Sequence, residues 1–90
     1  MVSRQVETSN SLGLHLQAAD KFVRLAQQFS ADVSVAYDNR KVSGRSILDM
    51  ATLAAACGAR LELETNGPDA DAALDALIAL VACGFDERDQ

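Results

Sequence analysis

The spacing of apolar residues switches repeatedly between two periods, and this alternation constrains the fold more than any other feature. Apolar residues at every second position predict a strand with one buried face, whereas a spacing of three and four predicts an amphipathic helix. The alternating segments are 2–8, 32–37, 40–43 and 60–65, and the helical patterns start near Leu16, Ser46 and Ala70. The first helical pattern continues to Phe29. The order is therefore β-α-β-β-α-β-α.

This order predicts an α/β fold, a two-layer open-faced β-sandwich formed by a single domain over residues 1–90. The sheet is expected to have four mainly antiparallel strands, with three helices on one face and solvent on the other. Apolar residues make up 49% of the chain but aromatic residues only 4%. We therefore expect a core of Leu, Val, Ile and Ala.

Local signals place the ends of several elements. Asp38-Asn39 suits the tight turn of a hairpin, because both residues tolerate left-handed backbone angles. Ser46 followed by Asp49 matches a capping box, so the second helix is expected to run from Ser46 to about Cys57 and to stop at Gly58. Asp69 is a good N-cap for the third helix, which Gly84 ends. Phe85 is expected to fold back onto that helix.

The charge pattern argues against two classes of partner. Eight basic residues are scattered among 13 acidic ones, giving a net charge of −5, whereas nucleic-acid binding needs a clustered basic face. An RNA-binding α/β plait would share part of the strand order but would also need aromatic residues on its sheet. The longest apolar stretches are too short to span a bilayer. We therefore expect a cytoplasmic protein that binds neither nucleic acid nor membrane.

Two cysteines, Cys57 and Cys83, each precede a glycine at the expected end of a helix. With a single histidine and no close cysteine pair, their spacing matches no metal site. We expect them to close the last turn of each helix; a redox role or a disulfide is the alternative.

His15 is the only histidine, and it stands where a polar loop (9–13) leads into the first helix. A neutral imidazole is a nucleophile near physiological pH. The start of a helix offers backbone N–H groups and the positive end of the helix dipole, which together bind anions. This combination suits acceptance of a phosphoryl group. The alternative is a loop histidine that only caps the helix.

The whole chain resembles the HPr phosphocarrier proteins of the sugar phosphotransferase system. Three segments carry the resemblance: Gly13-Leu14-His15 at the first helix, Gly44-Arg45-Ser46-Ile47-Leu48 at the second, and Ala73-Leu74-Asp75-Ala76-Leu77 through Gly84-Phe85. The resemblance implies a carrier without its own enzymatic turnover. It would receive a phosphoryl group on His15 from enzyme I and pass it to enzyme IIA-type proteins.

The resemblance also implies roles for other residues. Gln17 and the backbone N–H groups of Leu16, Gln17 and Ala18 would hold the phosphate, and Ser46 would be the target of a regulatory kinase of the HPr kinase/phosphatase type. The apolar side chains that dock partners would be Ile47, Leu48 and Ala51. It implies neither a cofactor nor a metal, and we expect a monomer.

Three successive residues after His15 depart from the family's usual Ala-Arg-Pro: Leu16, Gln17 and Ala18. An arginine gives a phosphate a charge-assisted hydrogen bond, whereas glutamine offers only a neutral donor. The alternative function is therefore an HPr-like adaptor that binds partners without relaying phosphate. Structural explanations also stay open for other residues: Ser46 as an N-cap, and Ile47, Leu48 and Ala51 as core. Glu62 and Glu64 are read as a solvated strand face.

Overall fold

A computed structural model describes residues 1–8, 16–53 and 58–84 of the chain, and it confirms the predicted order of elements. The elements are β1 (Val2–Glu7), α1 (Leu16–Ala26), β2 (Asp32–Tyr37), β3 (Arg40–Ser43), α2 (Ile47–Leu53), β4 (Arg60–Asn66) and α3 (Ala70–Ala82). The strands form one sheet in the order β1-β4-β2-β3, and all three pairings are antiparallel.

The sheet has one dry and one wet face, as the alternation predicts. On β4, Leu61, Leu63 and Thr65 are buried while Arg60 and Glu62 are exposed. The helices cover the dry face. Their buried residues are, on α1, Ala18, Ala19, Phe22, Val23 and Ala26; on α2, Met50 and Leu53; and on α3, Ala70, Ala73, Leu74, Leu77 and Val81. The core is thus rich in alanine, which allows the helices to lie close to the sheet.

The β2–β3 hairpin turns as predicted. Asp38 and Asn39 both have positive φ angles, 53° and 66°, which is the pattern of the tight turn that matches strand twist. After β3, Gly44 lies against the core: a Cβ there would stand 2.5 Å from Cγ1 of Val33. A glycine is required at this position because the chain passes too close to Val33 for any side chain.

The loop between α1 and β2 is held by two charged side chains from distant parts of the chain. Nη1 of Arg45 donates to the carbonyl oxygens of Ala26, Phe29 and Ala31 at 3.0, 2.7 and 3.2 Å. The carboxylate of Asp69 accepts from the backbone N–H groups of Ser30 and Ala31, both at 2.8 Å. A cation thus binds the carbonyl groups of the loop, and an anion binds its amides.

This contact corrects the expected role of Asp69. The residue occupies the N-cap position of α3, but its side chain makes no capping hydrogen bond. The carboxylate instead accepts hydrogen bonds from two loop amides that lie 38 and 39 positions away in the sequence.

Several ends differ from the expectation. β1 ends at Glu7, α1 ends at Ala26 so that Phe29 lies beyond it, and β4 extends to Asn66. Cys83 follows α3 and is exposed, with its thiol donating to the carbonyl oxygen of Leu80 at 3.3 Å. This hydrogen bond closes the last turn of α3, with the thiol on the protein surface. Cys57 and Phe85 lie outside the described residues, so the predictions for them stay predictions.

Candidate functional site

The candidate phosphate site is at the start of α1. The helix begins at Leu16, directly after His15 in the chain, as the sequence predicts; His15 itself lies outside the described residues. The first turn of α1 contains no acidic side chain. An anion next to this turn would therefore meet the positive end of the helix dipole without local repulsion.

The side chains of the first turn divide between core and surface. Ala18 is fully buried and anchors the turn against the core, whereas Gln17 is exposed. Ala18 can thus contribute only its backbone to an anion site. Gln17 can contribute its side-chain amide.

The charges farther along α1 are largely compensated. Nε of Arg24 donates to both carboxylate oxygens of Asp20, at 2.9 and 3.0 Å. Both side chains are substantially exposed, and their charges cancel on the surface. Lys21, also exposed, is the other cation of this helix.

Ser46 caps the start of α2, as its sequence context predicts. Its Oγ accepts a hydrogen bond from the backbone N–H of Asp49 at 3.3 Å. The N–H of Ser46 donates to the carbonyl oxygen of Ser43 at 3.4 Å. A backbone carbonyl therefore takes the place that the carboxylate of Asp49 would have in a complete capping box.

The apolar residues of α2 are partly core and partly surface. Ile47 is half-buried and packs against the core cluster, and Ala51 is also half-buried. Leu48 is 75% exposed, one of two large apolar side chains that are strongly exposed within the described ranges. An exposed leucine beside a half-buried isoleucine and alanine gives a small apolar surface suited to a protein partner.

The structure brings the two candidate regions together. Among the described residues, Gln17, Asp20 and Lys21 of α1 and Ile47 of α2 line one concavity of about 450 Å³. Gln17 of the predicted phosphate site and Ile47 of the predicted docking surface thus share a groove. We call this groove the α1–α2 groove.

The wet face of the sheet carries an ion pair that the sequence did not reveal. Nζ of Lys41 on β3 lies 2.7 Å from Oε1 of Glu64 on β4. The hydrogen bond to Glu64, and then its charge, raise the pKa of Lys41 above the ordinary value of 10.5. Glu62 is exposed and Glu64 is paired with this lysine, so the two carboxylates belong to a solvated face, as predicted.

Two other kinds of site are absent from residues 1–8, 16–53 and 58–84. These ranges contain no group of three or more side chains that could hold a metal ion. Nor do they contain a helix long and apolar enough to cross a membrane.

Arg45 and Thr8 make long-range contacts that sequence reasoning missed. Arg45 links the start of α2 to the end of α1. Thr8 is buried beside Ala59. Neither contact can be predicted from neighbouring residues, because the backbone groups that these side chains bind are 14 to 51 positions away in the sequence.

Comparison with known proteins gives matches over most of the chain. The sequence model of a family described as the PTS HPr component phosphorylation site matches residues 2–82. A phosphocarrier protein HPr of Cupriavidus necator is 41% identical over 87 residues, which cover 97% of this chain and 98% of that protein. A phosphocarrier protein NPr of Shewanella violacea is 43% identical over 86 residues, covering 96% and 94%.

A solved HPr structure from a third organism has the same fold. The crystal structure of HPr-C-His from Thermoanaerobacter tengcongensis superposes with a TM-score of 0.92 at 34% identity. The superposition covers 98% of this chain and 99% of that one.

Proposed function

The chain belongs to the HPr family of phosphotransferase-system phosphocarriers, and on that premise we propose that it carries a phosphoryl group on His15. The observation that carries the proposal is the placement of the chain's only histidine directly before α1, whose first turn contains no acidic side chain. The phosphoryl group comes from enzyme I and passes to enzyme IIA-type proteins. Both transfers take place in the cytoplasm.

The chemistry needs one neutral imidazole nitrogen. Its lone pair attacks the phosphorus atom, a new P–N bond forms, and the bond between phosphorus and the donor atom breaks with its electron pair staying on the donor. The second transfer repeats this step with the phosphorylated His15 as donor. The backbone N–H groups of Leu16, Gln17 and Ala18 stabilise the phosphoryl oxygens.

Gln17 lowers the rate of transfer in this proposal. Hydrogen bonds to charged groups contribute about 1.5–3 kcal/mol against about 1 kcal/mol for neutral ones, so the missing guanidinium costs about tenfold in rate. Arg24 lies about two turns farther along α1 and is engaged there by Asp20, so it is not a direct replacement for the missing guanidinium. Transfer is therefore expected to be slow but measurable.

The α1–α2 groove supports the proposed docking of partners. Ile47 lines the groove together with Gln17 and belongs, with Leu48 and Ala51, to the apolar surface of α2. A partner that covers this surface would have its own reacting group near the start of α1. In the proposal, phosphorylation of Ser46 by a kinase regulates this docking, since it adds negative charge at the edge of the apolar surface.

Labelling with phosphoenolpyruvate and enzyme I tests the proposal. The wild type should become labelled, His15→Ala should not, and Gln17→Arg should be labelled about tenfold faster than the wild type. An unlabelled wild type beside a well-labelled HPr control would contradict phosphate transfer.

A non-transferring adaptor is the second candidate, and the neutral Gln17 together with the compensated Arg24 favours it. In that case Gln17→Arg leaves the protein unlabelled and partner binding unchanged. Replacing Leu48 by Ser would then reduce partner binding while His15→Ala would not.

A further inference from the structure

Arg45 precedes α2 by one residue and binds the end of α1. Its Nη1 atom donates to the carbonyl oxygens of Ala26, the last residue of α1, and of Phe29 and Ala31 in the loop that follows. In the opposite direction, Nε2 of Gln27 donates to the carbonyl oxygen of Arg45 at 3.2 Å. The residue that leads into α2 is therefore tied to the end of α1 through both its side chain and its backbone.

The residue before Arg45 is held against the sheet and the same helix. The N–H of Gly44 donates to the carbonyl oxygen of Val33 at 2.8 Å. A Cβ at Gly44 would stand 3.0 Å from Cε1 of Phe22 on α1. The chain thus enters α2 in close contact with both β2 and α1.

The position of α2 depends on how its first residue is held. The helix has only seven residues, Ile47–Leu53, and isolated helices shorter than about 12 residues are marginal in water, so their stability comes from tertiary contacts. Met50 and Leu53 are its buried side chains, whereas Ile47 is only half-buried. The start of α2 therefore needs contacts beyond the core, and those of Arg45 lie closest to it in the chain.

Ile47 is the residue of α2 that lines the α1–α2 groove. The other lining residues within the described ranges, Gln17, Asp20 and Lys21, belong to α1. The shape of the groove is therefore set by the position of Ile47 relative to these side chains. Because Arg45 joins the two helices only two positions before Ile47, loss of its hydrogen bonds would let the start of α2 shift relative to α1.

We propose that Arg45 is a positioning residue for partner docking, which sets the shape of the α1–α2 groove by tying the start of α2 to the end of α1. The inference rests on the proposed function, since it assigns Arg45 a part in the docking of enzyme I at this groove. The guanidinium is directed to backbone carbonyl groups of its own chain. It therefore acts on docking through the position of Ile47.

Arg45→Met tests the proposal, because methionine keeps an unbranched apolar stem but donates no hydrogen bond to the carbonyl groups. Arg45→Lys is the rescue variant, since an ammonium group has three N–H donors for the three carbonyl oxygens. Gln27→Ala breaks the second tie, to the carbonyl oxygen of Arg45, without changing the charge of the protein.

Asp69→Ala is the matched control, because Asp69 holds the same loop from another element. Its carboxylate accepts from the amides of Ser30 and Ala31, but it stands at the start of α3. This variant loosens the loop between α1 and β2 and leaves the hydrogen bonds of Arg45 to Ala26 and Phe29 in place.

Two readouts are measured: the NMR resonances of the Ile47 methyl groups and the Gln17 side-chain amide, and the rate of phosphorylation by enzyme I as a function of carrier concentration. Arg45→Met should move the resonances. It should also raise the half-saturating concentration about fivefold with little change in the maximal rate, the size of effect expected when one docking contact is misplaced. Gln27→Ala should shift both readouts in the same direction by less. Arg45→Lys should restore them, and Asp69→Ala should change neither.

Equal effects of Arg45→Met and Asp69→Ala would overturn the proposal, because they would reduce the role of Arg45 to holding the loop. A lower maximal rate at an unchanged half-saturating concentration would also overturn it, since Arg45 would then act on the chemistry and not on docking. If Arg45→Met does not fold, Gln27→Ala decides, because it removes an exposed side chain; unmoved resonances of Ile47 in that variant would contradict the proposal.

The two readouts separate this inference from the proposed function. If enzyme I does not phosphorylate the wild type, the proposed function fails. The resonances of Ile47 and Gln17 then still decide whether Arg45 sets the shape of the groove.

Discussion

At the scale of single residues, several side chains of this protein act on backbone groups rather than on other side chains. Arg45 binds three carbonyl oxygens, Asp69 binds two amides, and Thr8 binds one amide. Each fixes a loop or a strand end that borders an element of the candidate site. Such contacts combine favourable hydrogen bonding with a defined path for the chain, and their loss leaves polar groups unsatisfied.

Asp69→Ala should destabilise the protein by about 2 kcal/mol, because two charge-assisted hydrogen bonds to the loop between α1 and β2 are lost. Asp69→Asn retains one carbonyl acceptor and should cost less. Urea denaturation measures the change, and hydrogen exchange should accelerate at Ser30 and Ala31. If the carboxylate served mainly as a helix cap, exchange would accelerate at the start of α3 instead.

The Lys41–Glu64 pair should make stability depend on alkaline pH. The pKa of Lys41 is raised in the folded state by the hydrogen bond to Glu64 and by its charge. The stabilisation is therefore complete below the unfolded value of 10.5 and is lost as the pH rises through the higher folded-state pKa. Denaturation midpoints between pH 8 and 12 should fall less steeply for Lys41→Met than for the wild type.

Glu64→Gln is the control for this pair, because it removes the charge of the partner and should flatten the same part of the pH profile. The double variant with Lys41→Met and Glu64→Gln should flatten the pH profile no more than either single variant does. Identical slopes in the wild type and Lys41→Met would contradict the assignment.

At the scale of elements, the sequence predicts what depends on neighbouring residues and misses what depends on distant ones. The Asp38-Asn39 turn and the cap at Ser46 are local, and both are confirmed. The N-cap prediction for the side chain of Asp69 is wrong, because its amide partners lie on another loop. The apolar spacing also fails to predict the end of α1 at Ala26, since it continues to Phe29 after the helix has stopped.

Ser46→Ala should destabilise the protein by about 1 kcal/mol, since the N–H of Asp49 loses its acceptor. Ser46→Asp keeps an N-cap acceptor and should remain close to the wild type. Thermal or urea denaturation distinguishes the two variants. Equal stability of Ser46→Ala and the wild type would show that the 3.3 Å hydrogen bond does not cap α2 in solution.

At the scale of the whole molecule, the antiparallel sheet and the helix layer bring the starts of α1 and α2 to one groove. The apolar periods predict both layers, and the resemblance to the HPr family predicts which residues belong to the phosphate site and which to the docking surface. Neither reveals the anchors: Arg45 and Thr8 act across 14 to 51 positions. The periods and the resemblance also do not show that the carboxylate of Asp20 neutralises the charge of Arg24, because this follows only from the positions of the two side chains.

Transfer through His15 requires a phosphoryl group on that residue, so the decisive experiment is to locate the group on the chain. After incubation with phosphoenolpyruvate and enzyme I, mass spectrometry of the intact protein and its peptides, together with phosphorus NMR, identifies the modified residue. We expect one phosphoryl group on an imidazole nitrogen of His15, absent from His15→Ala. A phosphoryl group on another residue, or none while an HPr control is phosphorylated, would contradict it.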